Sequence, residues 1–136
     1  MKLSTRGRYG LRALMELAGR QGEDPMLMET IARNQDLSRK YLHAILSKLR
    51  EAGFVRSVRG ARGGYSLARS PEEIRLDEVI RVLEGSIAVT DCVEDGASCE
   101  RSENCPAREV WSGLSRAIET FLGGKTLSDL LEVEKE

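Results

Sequence analysis

The chain has no cysteine in its first 91 residues or its last 31, so all three cysteines lie within the 14 residues 92–105. An odd cysteine count does not suit a structural disulfide framework, and the C-x-x-C spacing of thiol oxidoreductases is missing. The single histidine, His43, lies far from the cysteines in sequence. Because no pair of nucleophile and base stands out, we expect a protein that is not an enzyme.

Long apolar runs are also missing from the sequence. No stretch approaches the length that spans a bilayer, and residues 1–8 lack the apolar segment of a secretory signal. We therefore expect a cytoplasmic protein with no membrane partner and no small-molecule substrate. A length of 136 residues, of which 40% are hydrophobic, fits one compact domain or a small domain with a dimerisation segment.

Charge is distributed unevenly along the chain. Residues 1–70 contain 14 Lys and Arg against 6 Asp and Glu, whereas residues 71–136 contain 7 against 16. A basic half suits a polyanionic partner, and nucleic acid is the commonest one. Taken alone, the asymmetry is explained equally well by solvated charges that cluster by chance. The sequence motifs are therefore needed to distinguish this explanation from nucleic-acid binding.

The basic half has the pattern of a helix-turn-helix. Apolar residues at helical spacing predict a first helix that Ser4 or Thr5 caps. A short helix around residues 29–33 follows and then a turn. Ser38 caps a longer helix that runs to about Ala52, where Gly53 supplies a left-handed stop.

The longer helix has two different faces. One stripe is predicted to pack inward and consists of Leu42, Ile45, Leu46 and Leu49. The other is polar and basic and consists of Arg39, His43, Ser47 and Arg50. No acidic residue occurs from position 38 to position 50, which is unusual for a surface whose only role is solubility. We therefore expect the polar stripe to contact phosphates and base edges of double-stranded DNA.

A β-hairpin is predicted after this helix. Residues 54–58 and 65–68 alternate between apolar and polar, and the glycine-rich tip between them contains Arg59 and Arg62. The tip lacks the flanking residues of a nucleotide-binding loop. A hairpin directly after a recognition helix is a wing, and arginine at its tip suits a narrow, electronegative minor groove.

Two further helices flank the cysteines. The first covers residues 76–84, and the second begins at Pro106, with Cys105 at its N-cap, and ends at Gly123. One face of the second helix is apolar and consists of Val110, Trp111, Leu114, Ile118, Phe121 and Leu122. That face is either a dimer seam or packs on its own domain. Residues 126–131 are expected to add a last helical turn, before an acidic tail that frays.

The clustered thiols indicate a metal or redox site. The positive end of the helix that begins at Pro106 favours the thiolate of Cys105, the form that binds metal. The spacings C-x6-C and C-x5-C match neither zinc sites nor the usual ferredoxins. From spacing alone, an iron-sulfur cluster, zinc and thiol oxidation therefore all stay open.

Taken together, the motifs resemble the family of iron-sulfur cluster regulators typified by IscR and the nitric-oxide sensor NsrR, which are dimeric winged-helix transcription factors. The resemblance is carried by residues 3–9, 37–42, 58–60 and 63–65 and by the three-cysteine loop. It implies a homodimer that crosses through the long helix. It also implies that Ser38, Tyr41 and residue 43 meet the major groove and that Arg59 meets the minor groove. The full predicted set of DNA contacts is Arg8, Tyr9, Ser38, Arg39, Lys40, Tyr41, His43, Ser47, Arg50, Arg59, Gly60 and Arg62.

The same resemblance implies an iron-sulfur cluster, 2Fe-2S in preference to 4Fe-4S. Its predicted ligands are Cys92, Cys99 and Cys105. Two positions depart from the family pattern, since Arg108 stands where IscR-type proteins often have a histidine ligand and Arg8 where NsrR-type proteins use aspartate. The fourth ligand stays open among nearby carboxylates. His43 replaces a glutamate that IscR-type proteins often have, so no operator preference is implied.

The sequence thus predicts a mainly α protein with a small β-hairpin wing. Residues 1–70 form a winged helix-turn-helix, 71–105 a linking helix and the cysteine loop, and 106–136 a long dimerisation helix with a tail. The predicted function is a DNA-binding transcriptional regulator, a repressor, whose operator binding the cluster controls. A winged-helix regulator controlled by thiol oxidation or zinc is the alternative, and a thiol-dependent redox enzyme is the third.

Overall fold

The computed structural model describes residues 2–135, and the side chains of residues 134 and 135 lie outside that description. The chain folds into helices and one hairpin in the order α1 Thr5–Gly19, α2 Met28–Gln35, α3 Arg39–Glu51, β1 Val55–Val58, β2 Gly64–Leu67, α4 Leu76–Glu84, α5 Asp91–Glu94, α6 Pro106–Gly123 and α7 Leu127–Lys135. Among the described residues, every helix is too short or too polar to cross a bilayer. The predicted mainly α fold with a hairpin is confirmed.

One hydrophobic core joins the first four helices, the base of the hairpin and the start of α7. Its largest fully buried side chains are Leu14, Ile31, Leu42, Ile45, Leu46, Leu49, Phe54, Ile74, Val79, Leu83 and Leu127. The inward stripe predicted for α3 is therefore confirmed. Burial of this apolar surface is the main force that holds the helix-turn-helix together.

The two longest helices of the basic half begin in different ways. Ser38 caps α3 as predicted, because its Oγ accepts a hydrogen bond from the Tyr41 N–H at 3.1 Å. Ser4 occupies the N-cap position of α1, but the predicted cap bond is wrong. Its hydroxyl and its N–H both donate to Glu84 Oε1 of α4, at 2.7 and 2.8 Å. The Glu84 carboxylate thus lies at the positive end of α1, where a negative charge is stabilised.

The hairpin is antiparallel, with Val55 opposite Leu67 and Val58 opposite Gly64. Met26 extends it on one side, since it exchanges two backbone hydrogen bonds with Tyr65, at 2.9 and 2.7 Å. Gly64 has φ +139°, and a Cβ on it would lie 2.2 Å from the Met26 carbonyl oxygen. Glycine is therefore required there by backbone packing.

The C-terminal helix is longer than predicted. A single turn was expected over residues 126–131 with a fraying tail, whereas α7 continues through Lys135, and residue 136 lies outside the described residues. Asp129 Oδ2 accepts from the Thr126 N–H at 2.8 Å and caps the helix. Leu127 is fully buried and anchors the first turn. The cap and the buried leucine together explain why α7 is longer than predicted.

A buried carboxylate joins the start of α4 to the end of α6. Asp77 is only 3% exposed. Its carboxylate accepts hydrogen bonds from Arg75 Nε at 3.0 Å, from Arg75 Nη2 at 2.6 Å and from Arg81 Nη1 at 3.3 Å. A Cβ on Gly123 would lie 3.5 Å from this carboxylate. Hydrogen bonding from Arg75 holds the pKa of Asp77 below its usual range, against the opposing effect of burial. Asp77 therefore lies where the start of α4 meets the end of α6.

Candidate functional site

The polar stripe of α3 lies on the surface as predicted. Arg39, His43 and Arg50 are exposed and Ser47 is half-buried. Lys40 is exposed next to them. The structure therefore presents these side chains on the side of α3 that faces away from the core.

The N-terminal part of α1 lies beside α3. The Tyr9 ring packs edge-on against the Tyr41 ring, with 6.4 Å between centroids and an interplanar angle of 88°. The Thr5 hydroxyl is also hydrogen-bonded to the Tyr41 hydroxyl. Arg8 and Arg12 lie over the Tyr9 ring, at 5.9 and 5.4 Å from its centroid. Arg8 and Tyr9, which are predicted DNA contacts on α1, thus lie close to Tyr41, a predicted DNA contact on α3.

Arg12 was missed by the sequence analysis. Its place was readable, because it follows Arg8 by four residues and so shares a face of α1 with it. We define the basic face as the surface that α1 and α3 form together, which contains Arg8, Arg12, Arg39, Lys40, His43 and Arg50.

Two contacts orient arginines within the basic face. Arg39 Nη2 lies 2.8 Å from Glu29 Oε1 of α2, in an exposed ion pair that contributes little to stability. Arg50 Nη1 donates a hydrogen bond to Ser57 Oγ of β1 at 3.4 Å. The second contact links the end of α3 to the hairpin, whose tip residues Arg59, Gly60 and Arg62 are all exposed.

The cysteine segment, residues 91–105, is folded rather than irregular. It contains α5 and the 3-10 turns Gly96–Ser98 and Ser102–Asn104. Cys92 is half-buried, with its Sγ 3.2 Å from Thr90 Oγ1, whereas Cys99 is exposed. Cys105 is half-buried at the N-cap of α6, directly before Pro106, as predicted. None of the three cysteines forms a disulfide.

Arg108 reaches from α6 into this segment. Its Nε donates to the Cys92 carbonyl oxygen at 3.0 Å, and its Nη1 donates to the Ser102 carbonyl oxygen at 3.4 Å. Ser102 is buried, and its hydroxyl donates to the Gly96 carbonyl oxygen. The guanidinium group of Arg108 therefore links α5, which contains Cys92, to the 3-10 turn that begins at Ser102.

A metal ion needs its ligands gathered around one centre. Within residues 2–135, no group of three or more His, Cys, Asp or Glu side chains is arranged to hold a metal ion. The cationic guanidinium of Arg108 cannot act as a ligand. The residues as arranged thus do not form a site for a single ion such as zinc, and the role of the three cysteines as ligands of an iron-sulfur cluster stays a prediction.

Comparison with known proteins agrees with this architecture. Residues 3–133 match the Rrf2 family, described as an iron-dependent transcriptional regulator. The HTH-type transcriptional regulator CymR of Bacillus subtilis (strain 168) is 43% identical over 130 residues, which cover 96% of this chain and 89% of that protein. The solved structure of CymR, described as the global cysteine regulator of B. subtilis, has a TM-score of 0.81 at 41% identity and covers 98% of both chains.

A second solved structure, T. potens IscR, has a TM-score of 0.81 at 40% identity and covers 98% of this chain and 88% of that chain. These relatives are transcriptional regulators and not enzymes, as predicted. With a family match over nearly the whole length and relatives above 40% identity, the chain belongs to the Rrf2 family of transcriptional regulators.

Proposed function

We propose that this protein is a homodimeric repressor that binds operator DNA with its basic face and its wing and senses a signal with its cysteine segment. The observation that carries the proposal is the contact between Tyr9 and Tyr41, at 6.4 Å between ring centroids. It joins the cationic ends of two helices into one surface that is continuous with the wing through Arg50 and Ser57.

Each part of this surface has its own role in the proposal. Ser38 caps α3, and Tyr41 and His43 lie in the first half of that helix, so all three read base edges in the major groove. Arg8 and Arg12 neutralise phosphates beside that groove. Arg59 and Arg62 at the wing tip enter the adjoining minor groove, whose negative potential attracts arginine.

Arg12→Ala is expected to weaken DNA binding about fivefold at physiological salt, because one phosphate contact and its released counterion are lost. The slope of log affinity against log salt concentration should fall by about 1. Fluorescence anisotropy with a duplex that the wild-type protein has selected from a random pool measures both. Arg20→Ala, at the other end of α1, is the matched control and should bind as the wild type does. An Arg12 variant with unchanged affinity and slope would remove α1 from the interface.

Arg59→Ala is expected to weaken binding about tenfold on the same duplex, because a minor-groove arginine is lost. The loss should be largest on duplexes with a narrow, A·T-rich minor groove at the wing position. Anisotropy titrations on paired duplexes that differ only there give the comparison. Arg101→Ala, an exposed arginine of the cysteine segment, serves as the control. Equal losses for the two variants would contradict the placement of the wing.

The dimer is proposed from the uncovered apolar face of α6. Ser115 is the only residue of this helix that is buried within the protomer, as far as the structure describes it. Val110, Trp111 and Phe121 are 61%, 40% and 65% exposed. Patches of this kind mark interaction sites. We propose a second copy as the partner, since a two-fold axis lets the same face cover itself.

An apolar groove continues this face toward the basic half. Its volume is about 640 Å³, and it is lined by Leu3 and Leu11 near α1, by Ile80 of α4 and by Ile118 and Phe121 of α6. Because the groove has α6 as one wall, the α6 of a second copy extends the same apolar packing. The proposed dimer therefore buries both features at once.

The signal is proposed to act on the cysteine segment because it ends at the first turn of α6. A change in the segment is passed directly to the dimer helix and hence to the spacing of the two basic faces. In the described arrangement the responsive groups are the thiols themselves, so reversible thiol oxidation or modification is the signal that the geometry supports best. The similarity to a protein described as a global cysteine regulator agrees with thiol chemistry.

An iron-sulfur cluster, 2Fe-2S in preference to 4Fe-4S, is the second candidate. It is favoured by three soft ligands within 14 residues and by the description of the family as iron-dependent. Anaerobic purification with iron and sulfide analysis decides between the two. Brown protein with stoichiometric iron and sulfide favours the cluster, and colourless protein whose thiols change operator affinity on oxidation favours thiol sensing.

A further inference from the structure

Arg108 makes contacts at three points of the cysteine segment. It donates to the carbonyl oxygens of Cys92 and Ser102, at 3.0 and 3.4 Å. The third contact is with Gly96. A Cβ built on this glycine would lie 3.2 Å from Arg108 Nη2, so the guanidinium packs directly over it. One side chain thus joins positions that lie up to ten residues apart in the sequence.

We propose that Arg108 is a positioning residue that closes the cysteine segment without a metal and keeps Cys92 covered. A guanidinium has five N–H donors in a fixed plane, which suits several carbonyl oxygens that short helical turns leave without partners. Carbonyl groups in a partly buried segment need such partners, because an unpaired one costs free energy.

The other polar contacts of the segment agree with this role. The buried Ser102 hydroxyl donates to the Gly96 carbonyl oxygen, and Thr90 Oγ1 lies 3.2 Å from Cys92 Sγ. Ser115 Oγ of α6 accepts from the Val89 N–H at 3.0 Å, which fixes the entry to the segment. These contacts act together with Arg108 to hold the segment closed.

Cys92 and Cys99 should differ in access as a result. Cys99 is exposed, whereas Cys92 is half-buried and its own carbonyl group is held by Arg108. Local opening of the segment makes the half-buried Cys92 more accessible to a reagent. Loss of Arg108 lowers the free energy of this opening, and the reactivity of Cys92 reports it.

The inference rests on the proposed function only for its consequence, which is that a signal acts by releasing this closure. The closure itself is a property of the protein without DNA. It is therefore tested on free protein, and the outcome does not depend on whether the protein binds an operator.

The test measures alkylation of each cysteine by N-ethylmaleimide in reduced, chelator-treated full-length protein, followed by mass spectrometry. In the wild type, Cys99 should react faster than Cys92. Arg108→Gln should accelerate Cys92 about tenfold, because one or two hydrogen bonds that oppose opening are lost, and should leave Cys99 unchanged. Arg116→Gln, an exposed arginine two turns further along α6, is the matched control and should change neither rate.

Arg108→Lys provides a second variant that keeps the charge but not the planar fork. It should give an intermediate Cys92 rate, which also tests the proposal if Arg108→Gln fails to fold by circular dichroism. A Cys92 rate in Arg108→Lys equal to that of the wild type, or a wild-type Cys92 that reacts as fast as Cys99, overturns the proposal. A folded Arg108→Gln variant with the wild-type Cys92 rate overturns it as well.

Discussion

Phe121→Asp is expected to convert the proposed dimer into a monomer and to raise the dimer dissociation constant about a hundredfold or more, because a carboxylate would have to be buried without a partner. Phe121 is 65% exposed in the protomer and lines the apolar groove, so the change leaves the protomer core intact. Operator affinity should fall in parallel, since one protomer then binds one half-site without the gain from a linked second site. Analytical ultracentrifugation measures the dissociation constant directly.

Leu27→Asp provides the matched control for this experiment. Leu27 is also an exposed apolar residue, at 50%, but it lies at the N-cap of α2, away from α6. The Leu27 variant should remain a dimer at the concentration at which the Phe121 variant dissociates. If both variants dissociate equally, or if the Phe121 variant stays dimeric, the second copy does not pack on this face.

Asp77→Ala is expected to lower the free energy of unfolding by about 2 kcal/mol, because charge-assisted hydrogen bonds to a buried carboxylate are lost. The two arginines that contact Asp77 are about half exposed and regain water, which limits the cost. Urea titration followed by circular dichroism measures the change. Glu78→Ala, on the next residue of α4, is a suitable control because Glu78 makes a long, partly exposed ion pair of 3.7 Å with Arg69. Equal effects of the two substitutions would contradict a special role for Asp77.

The contribution of Asp77 should also depend on pH. Hydrogen bonding from Arg75 lowers the pKa of this carboxyl group in the folded protein, so the folded state favours the ionised form. The resulting stabilisation is present at every pH above the unfolded value of about 4 and is lost as the pH falls through the lower folded pKa. The stability difference between the wild type and Asp77→Asn should therefore be largest near neutral pH and shrink below about pH 4. A difference that stays constant from pH 7 to pH 3 would show that the charge of Asp77 is not involved.

Much of the basic half was predictable because its signals are local. The inward stripe of α3, its cap at Ser38 and its stop at Gly53, where φ is +84°, follow from spacing and from the chemistry of single residues. The wing follows from alternation around a glycine-rich tip. The position of Cys105 before Pro106 was predictable for the same reason.

The features that were missed depend on contacts between distant residues. Ser4 bonds to Glu84, 80 residues away, instead of capping its own helix. Arg108 was recognised as unable to replace a ligand, but its hydrogen bonds to the segment arise only when the segment folds back on α6. α7 persists because Leu127 reaches the core, which local propensity does not encode.

These features connect the cysteine segment with the basic face. The cysteine segment leads into α6, whose far end packs beside Asp77, and α4 in turn contacts the start of α1 through Glu84. α1 carries Tyr9, which contacts Tyr41 of α3. A shift of α6 therefore has a continuous packed route to the basic face, and the proposed regulation is a change in the relative placement of two such faces in the dimer.

Selection of duplexes from a random pool by the wild-type protein, followed by hydroxyl-radical footprinting of the selected DNA, tests the central claim most directly. Two recognition helices related by a two-fold axis predict a pseudo-palindromic site, with half-sites separated by about 10 base pairs or a multiple of that spacing. Protection should extend over the minor groove next to each half-site, where the wings lie. A single, asymmetric protected region, or a pool that shows no sequence preference, would contradict the account.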